Sequence, residues 1–266
     1  MNILEKIVER KKKRVNEKKK VLSLKEIKKE ALSLVKNSDR FFYEKIKRLP
    51  NEPIKIIAEI KRASPLKGLL KEYNVEEMAD SYVSAGVDAI SVITEEDFFL
   101  GDSKFLINIK KRHPSIPILR KDFIFDEYQV YESKILGADA ILLIADILTV
   151  DQCKNLYQLS RSLGMDVLFE IHDEEGVKKA LFAEADIVGI NNRDLKTLQI
   201  DINTTFRLKR LIPEEKVVVS ESGISERKQV RELIKHKISA VLVGTSLVLS
   251  KDPVSKIREI KEIKNE

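Results

Sequence analysis

The sequence predicts an α/β protein, a (β/α)8 TIM barrel carrying an N-terminal helical extension. Three observations predict it. Short apolar runs alternate with helical patterns eight times over roughly 210 residues, the pattern and size of such a barrel. The segment "SAGVDAISVIT" (84–94) is echoed by "LGADAILLIAD" (136–146), with looser copies in "EADIVGIN" and "ISAVLVG", so one strand-opening unit recurs along the chain. The sequence contains no G-x-G-x-x-G turn, which counts against the rival architecture, a doubly wound open sheet.

The strands are expected at Lys55–Lys61, Ala89–Thr94, Pro117–Lys121, Ala140–Ala145, Asp166–Glu170, Ile187–Asn191, Val217–Ser222 and Ala240–Gly244. Near-continuous apolar runs of this length suit parallel strands covered on both faces. Helical patterns lie between them at Val75–Ala85, Ser103–Arg112, Glu127–Leu136, Val150–Leu163, Glu174–Phe182, Thr204–Leu211 and Glu226–Lys235, and Pro253–Ile263 closes the barrel. Residues 1–50 precede the first strand and are expected to form helices packed on a barrel at 51–266.

Composition bounds the function. The chain has 266 residues, 43% apolar and 35% charged, a globular balance with material for a large core. Its single cysteine, Cys153, permits no intrachain disulfide and suits a reducing cytoplasm. No apolar run approaches the length of a membrane span. The net charge of +6 is concentrated at the start, where residues 1–30 hold 12 Lys/Arg against 5 Glu. The run "ERKKKRVNEKKK" is read as a solvated helix face beside an apolar stripe of Ile3, Leu4, Ile7 and Val8. No aromatic residue is interleaved with it, so a nucleic-acid stacking platform is not expected.

Barrel active sites lie at the C-terminal ends of the strands, and those ends are rich in charge here. The first strand ends with Glu59, Lys61 and Ser64, the third with Lys121 and the fifth with Glu170. The sixth ends with Asn191 and Arg193, the seventh with Glu221, Ser222 and Gly223, and the eighth with Gly244 and Thr245. Alternation puts Glu59 and Lys61 on one face, and a buried charge is costly unless paired. The two are therefore expected in the lumen, near partners of opposite sign. The turns at Ser222-Gly223 and Gly244-Thr245 stand where barrels often bind phosphate through backbone N–H groups. His113 and His172 are read as surface or loop residues, and Asp194 as capping a turn. The three His and one Cys show no metal-ligand spacing, so no metal site is expected.

Several segments, in this order, resemble the indole-3-glycerol phosphate synthase family of tryptophan biosynthesis. They are "AEIKRASPLKG", "ISVITEEDFFLGD", "ILRKDFIFDEYQVYESKILGADAILLI", "GINNRDL", "SESGIS" and "VLVGTSL". The resemblance implies a carboxy-lyase that closes an indole ring on 1-(2-carboxyphenylamino)-1-deoxyribulose 5-phosphate with loss of CO2 and water, with no metal or organic cofactor. It implies Lys121 as general acid, Glu170 as general base, and Glu59 with Lys61 as a supporting pair. It implies further that Asn191 holds a hydroxyl and that Arg193 positions the carboxylate or Asn191. Ser64 and Glu221 would also contact substrate. Ser222, Gly223, Gly244 and Thr245 would hold the phosphate. Phe99, Phe123, Leu142 and Leu242, with Pro65 beside them, would line an apolar slot for the anthranilate ring. The partners implied are a small phosphorylated substrate and, in a complex, other tryptophan-pathway enzymes, with no nucleic acid and no membrane. The family usually reads S-P-S after the first strand, and Leu66 replaces the second Ser here. The nearest rival, a phosphoribosylanthranilate isomerase, calls for a Cys near the first strand, whereas Cys153 falls in a helical pattern after the fourth.

Overall fold

The computed structural model describes residues 2–35, 40–194 and 198–261. Eight parallel strands close into a barrel: β1 (Lys55–Ile60), β4 (Ala89–Ile93), β5 (Ile118–Lys121), β6 (Ala140–Ile144), β7 (Asp166–Ile171), β8 (Ile187–Asn191), β9 (Val217–Glu221) and β10 (Ala240–Val243). Each strand pairs with its sequence neighbour, and β10 returns to β1 with Lys55 opposite Ala240. The remaining strands, β2 (Ala63–Ser64) and β3 (Gly68–Leu69), form a small antiparallel hairpin in the loop after β1. The sequence did not announce this hairpin, and Leu66 stands exposed at its tip.

Alternation along the strands sorts the side chains into two cores. In β6, Ile141 and Leu143 pack outward under the helices, while Ala140, Leu142 and Ile144 belong to the lumen cluster. In β1, Ile56, Ala58 and Ile60 face outward, and Ile57 faces the lumen. Glu59 shares the parity of Ile57 and so also points inward.

Helices α4 (Val75–Ser84), α5 (Ser103–Arg112), α6 (Glu127–Ile135), α7 (Val150–Ser162), α8 (Glu174–Phe182), α9 (Asn203–Lys209), α10 (Arg227–Lys235) and α12 (Pro253–Lys261) form the outer ring. Their starts are legible in local chemistry. Thr149 and Gln152 make a reciprocal capping box on α7, and Asp126 with Gln129 does the same on α6, satisfying otherwise orphaned N–H groups. A further single-turn helix, α11 (Thr245–Val248), follows β10 directly. The last residues of the helix expected at Pro253–Ile263, and Leu195 of the "GINNRDL" segment, lie outside the described residues.

The segment before the barrel holds α1 (Ile3–Val21), α2 (Leu24–Ser33) and α3 (Phe41–Ile46). From α3, Phe42 and Ile46 are fully buried against the lumen cluster that includes Ile57, Ala89 and Ala240, so they plug the N-terminal end of the barrel. At the opposite end lies α1. Here the expectation of a purely solvated basic face is corrected. Lys12, Lys13 and Lys20 are exposed, but Lys11 is buried, with its Nζ 2.6 Å from Glu96 and 2.9 Å from Asp122. Arg14 grips Asp97, Lys18 reaches Glu132 and Lys19 reaches Asp126, each at 2.7 Å. The reason is geometric: the strand-end loops after β4 and β5 carry carboxylates that burial penalises unless cations meet them.

Candidate active site

The C-terminal ends of the strands surround a cavity of about 480 Å³. Each residue singled out above as a site candidate lines it, from Glu59 and Lys61 of the first strand end to Gly244 and Thr245 of the last. Pro65 and Leu66 of the hairpin line it too.

At its floor sits a cluster of charge. Lys121 Nζ contacts Glu221 Oε2 directly and lies 3.3 Å from Glu170 Oε2. Lys61 Nζ lies 2.7 Å from Glu59 Oε1. Burial alone would lower the Lys121 pKa, but the carboxylates of Glu221, Glu170 and Glu59 outweigh it and hold the ammonium above the ordinary lysine range. Burial likewise opposes ionisation of Glu59, but Lys61 and Lys121 keep its pKa below the ordinary carboxylate value. Glu221 behaves differently. Burial and the neighbouring Glu170 charge push its pKa up to about 7 against the pull of Lys121. With three carboxylates crowded around Lys61 and Lys121, one of them takes up a proton most readily, and Glu221 is the most enclosed.

Two glycines make this crowding possible. A Cβ on Gly244 would sit 2.3 Å from Glu59 Oε1, and one on Gly189 would sit 2.2 Å from Glu221 Oε1. The lumen therefore trades two side chains for two carboxylates. Gly189 was not singled out from the sequence, because a glycine inside an apolar run gives no hint of what approaches it.

On the β8 side, Asn191 Nδ2 donates to Glu170 Oε1 at 3.1 Å, and the Arg193 N–H donates to Asn191 Oδ1 at 3.0 Å. Asp194 lies in a turn, its N–H donating to the Gln199 carbonyl and its carbonyl accepting from the Leu198 N–H. The apolar wall includes Phe99 and Phe123, whose ring centroids are 6.1 Å apart, and Leu142 and Leu242 from β6 and β10. Phe99 is placed by the Glu95 carboxylate, which accepts from the N–H groups of Asp97, Phe98 and Phe99.

The Ser222-Gly223 turn is held from behind. Asn192 Nδ2 donates to the Ser222 carbonyl at 3.1 Å, and Thr205 Oγ1 donates to Asn192 Oδ1 at 2.7 Å. Ser222 and Gly223 both adopt positive φ, 67° and 79°. Successive residues in turn conformations of this kind can gather their N–H groups into an anion-binding concavity. The second proposed phosphate element, Gly244-Thr245, opens α11 across the same corner of the cavity.

The chain matches the family profile described as indole-3-glycerol phosphate synthase over residues 4–260. The chain belongs to the indole-3-glycerol phosphate synthase family. It is 47% identical over 264 residues to the indole-3-glycerol phosphate synthase of Thermoanaerobacter pseudethanolicus, covering 98% of each chain. It is 43% identical over 261 residues to that of Endomicrobium trichonymphae, covering 98% of this chain and all of the relative. As a member of this family it is a carboxy-lyase of tryptophan biosynthesis. Among solved structures, 3-hexulose-6-phosphate synthase from Salmonella typhimurium superposes with a TM-score of 0.65 at 18% identity, covering 78% of this chain and 97% of that one. At that identity the likeness shows the barrel fold alone.

Within this indole-3-glycerol phosphate synthase barrel, sequence reasoning missed two groups of residues. Ile3, Leu4 and Ile7 of α1 line the cavity; their apolar spacing was visible, but not which surface it faced. His172, expected as a surface or loop residue, does lie in the loop after β7, yet its side chain is only 9% exposed, with Nε2 3.4 Å from Glu170 Oε1. It follows Glu170 by two residues, and the strand period that paired Glu59 with Lys61 could have found it. His113, by contrast, ends α5 and pairs with Asp80 at 2.8 Å.

Proposed function

We propose that the cavity closes the indole ring of 1-(2-carboxyphenylamino)-1-deoxyribulose 5-phosphate, releasing CO2 and water to give indole-3-glycerol phosphate. The observation that carries this reading is Lys121, an ammonium held between Glu170 and Glu221 at the cavity floor. A cation so placed can donate a proton to the ribulose carbonyl as the ring carbon attacks, and can steady the developing oxyanion. Its carboxylate neighbours favour reprotonation between turnovers.

Loss of CO2 from the attacking ring carbon returns the bond electrons to the ring system. The remaining hydroxyl then leaves as water, and a ring proton must be accepted. Glu170 is the acceptor in this reading, oriented by Asn191, which also reaches the substrate hydroxyl. Glu59 and Lys61 support the reacting atoms. Arg193 positions the substrate carboxylate or Asn191, and Ser64 and Glu221 make further substrate contacts. The phosphate sits on the turns at Ser222-Gly223 and Gly244-Thr245, with the anthranilate ring against Phe99, Phe123, Leu142, Leu242 and Pro65.

The reading treats residues 1–50 and the barrel at 51–266 as one working unit, because α1 lines the cavity and α3 plugs the opposite end. It places the chain in the cytoplasm beside other tryptophan-pathway enzymes, supported by its single unpaired Cys153. The test is turnover of the synthetic substrate followed by indole fluorescence in wild type and Glu170→Gln. Loss of turnover with retained substrate binding supports the assignment, and wild-type turnover in Glu170→Gln overturns it.

A further inference from the structure

Glu170 Oε2 faces Lys121 at 3.3 Å, and Oε1 accepts from Asn191 Nδ2 at 3.1 Å. A third group stands on the Oε1 side. His172 Nε2 lies 3.4 Å away, buried and without a hydrogen bond of its own. The other ring nitrogen, Nδ1, is 2.8 Å from Asp146 Oδ2. Both residues lie just beyond the strand ends: Ile144 of β6 lies opposite Glu170 of β7, and Asp146 stands in the 3-10 turn Ala145–Ile147 that follows β6, with His172 in the loop that follows β7. Lys179 of α8 donates to the carbonyls of Ala145 and Leu148, both at 2.9 Å, and so pins the turn that carries Asp146. The charged groups facing the imidazole are thus Asp146 after β6, Glu170 on β7 and, at longer range, Glu221 on β9.

We propose that His172, fixed by Asp146, is a positioning residue for Glu170: held 3.4 Å from Oε1, it keeps the carboxylate oriented toward the substrate. His172 does not line the cavity, so it acts through Glu170 and not on the ligand. The flanking carboxylates outweigh the burial that would otherwise discharge the ring and raise its pKa.

This inference rests on the reading of Glu170 as the base, and the experiment separates the two. His172→Gln and Asp146→Asn are compared with wild type and Glu170→Gln for kcat and KM. In His172→Gln, kcat should fall severalfold while KM stays within about twofold. Asp146→Asn should lower kcat in the same way but less. It also serves as the variant that leaves the buried ring in place. Independently of turnover, the three histidines can be titrated by NMR. The His172 midpoint should fall in both Asp146→Asn and Glu170→Gln, because each removes a negative neighbour. An unmoved midpoint in Glu170→Gln, or an unchanged kcat in His172→Gln, overturns the inference. If Glu170→Gln retains turnover, the base assignment fails instead.

Discussion

Lys11 of α1 and Asp122, just beyond β5, form a buried ion pair with Nζ 2.9 Å from Oδ1 and side chains 4% and 1% exposed. Asp122 is also served by Arg120 at 3.3 Å and by Thr94 Oγ1, which donates to it at 2.6 Å. Removing one partner of such a pair leaves an uncompensated charge, typically costing about 3–5 kcal/mol. Because Arg120 remains, Lys11→Met should cost about 2–3 kcal/mol in urea denaturation at pH 7. A cost below about 0.5 kcal/mol would show that the pair adds nothing net.

The same pair sets a pH dependence. Burial opposes ionisation of Asp122, yet Lys11 and Arg120 hold its pKa below the ordinary carboxylate range. A depressed folded-state value gives stability that is present above the unfolded pKa of about 4 and is lost as pH falls through the folded value. Between pH 5 and pH 2, wild type should therefore lose stability more steeply than Asp122→Asn. Parallel melting curves across that range would refute the assignment.

Lys121→Ala should lower turnover by on the order of 10²–10⁴ or more, through loss of the proton donor and the oxyanion contact. The variant should still fold near pH 6, with Glu221 taking up a proton in place of its cation. Its raised folded-state pKa then makes stability fall, relative to wild type, as pH rises through neutrality. Turnover within about threefold of wild type would make Lys121 structural.

The phosphate corner should separate from the chemistry. Contacts to a group that does not react bind substrate and transition state about equally, so losing them raises KM more than it lowers kcat. Ser222→Ala should show a raised KM and weaker inhibition by inorganic phosphate. Gly223→Val should show both more strongly. Gly223 has φ 79°, and its Cβ would fall 2.4 Å from Ile200 Cγ2, so the turn must shift. A collapse of kcat in Ser222→Ala with phosphate inhibition intact would mean the phosphate binds elsewhere.

Gly244→Ala tests the room left for Glu59. The new methyl overlaps Glu59 Oε1 and pushes the carboxylate off Lys61. The expected result is a loss of kcat exceeding the rise in KM, with the melting temperature lowered by a few degrees. Unchanged kinetics would show that the Glu59–Lys61 pair does not support the reacting atoms.

The barrel was legible because its strands are apolar on both faces and its repeat survives in "SAGVDAISVIT" and "LGADAILLIAD". Strand-end position then named a set of polar residues that the structure gathers around one cavity. What escaped was of another kind. Ile3, Leu4 and Ile7 advertise an apolar stripe but not its destination, since helix periodicity reports a face and never a partner. Gly189 signals nothing until Glu221 is seen against it. The destiny of Lys11 could not be told from that of Lys12, because burial of one lysine in a run depends on carboxylates far along the chain.

The contacts of α1 span 85 residues from Lys11 to Glu96 and 114 from Lys18 to Glu132. On the ribosome, the helix therefore emerges well before its acidic partners. At synthesis rates of roughly 5–20 residues per second, it waits about 4–23 s. During that interval its apolar stripe has no cavity to cover. Over the same interval its dense positive charge opposes the close approach of two such helices, and in the finished fold Lys11 and Lys18 pair with Glu96 and Glu132.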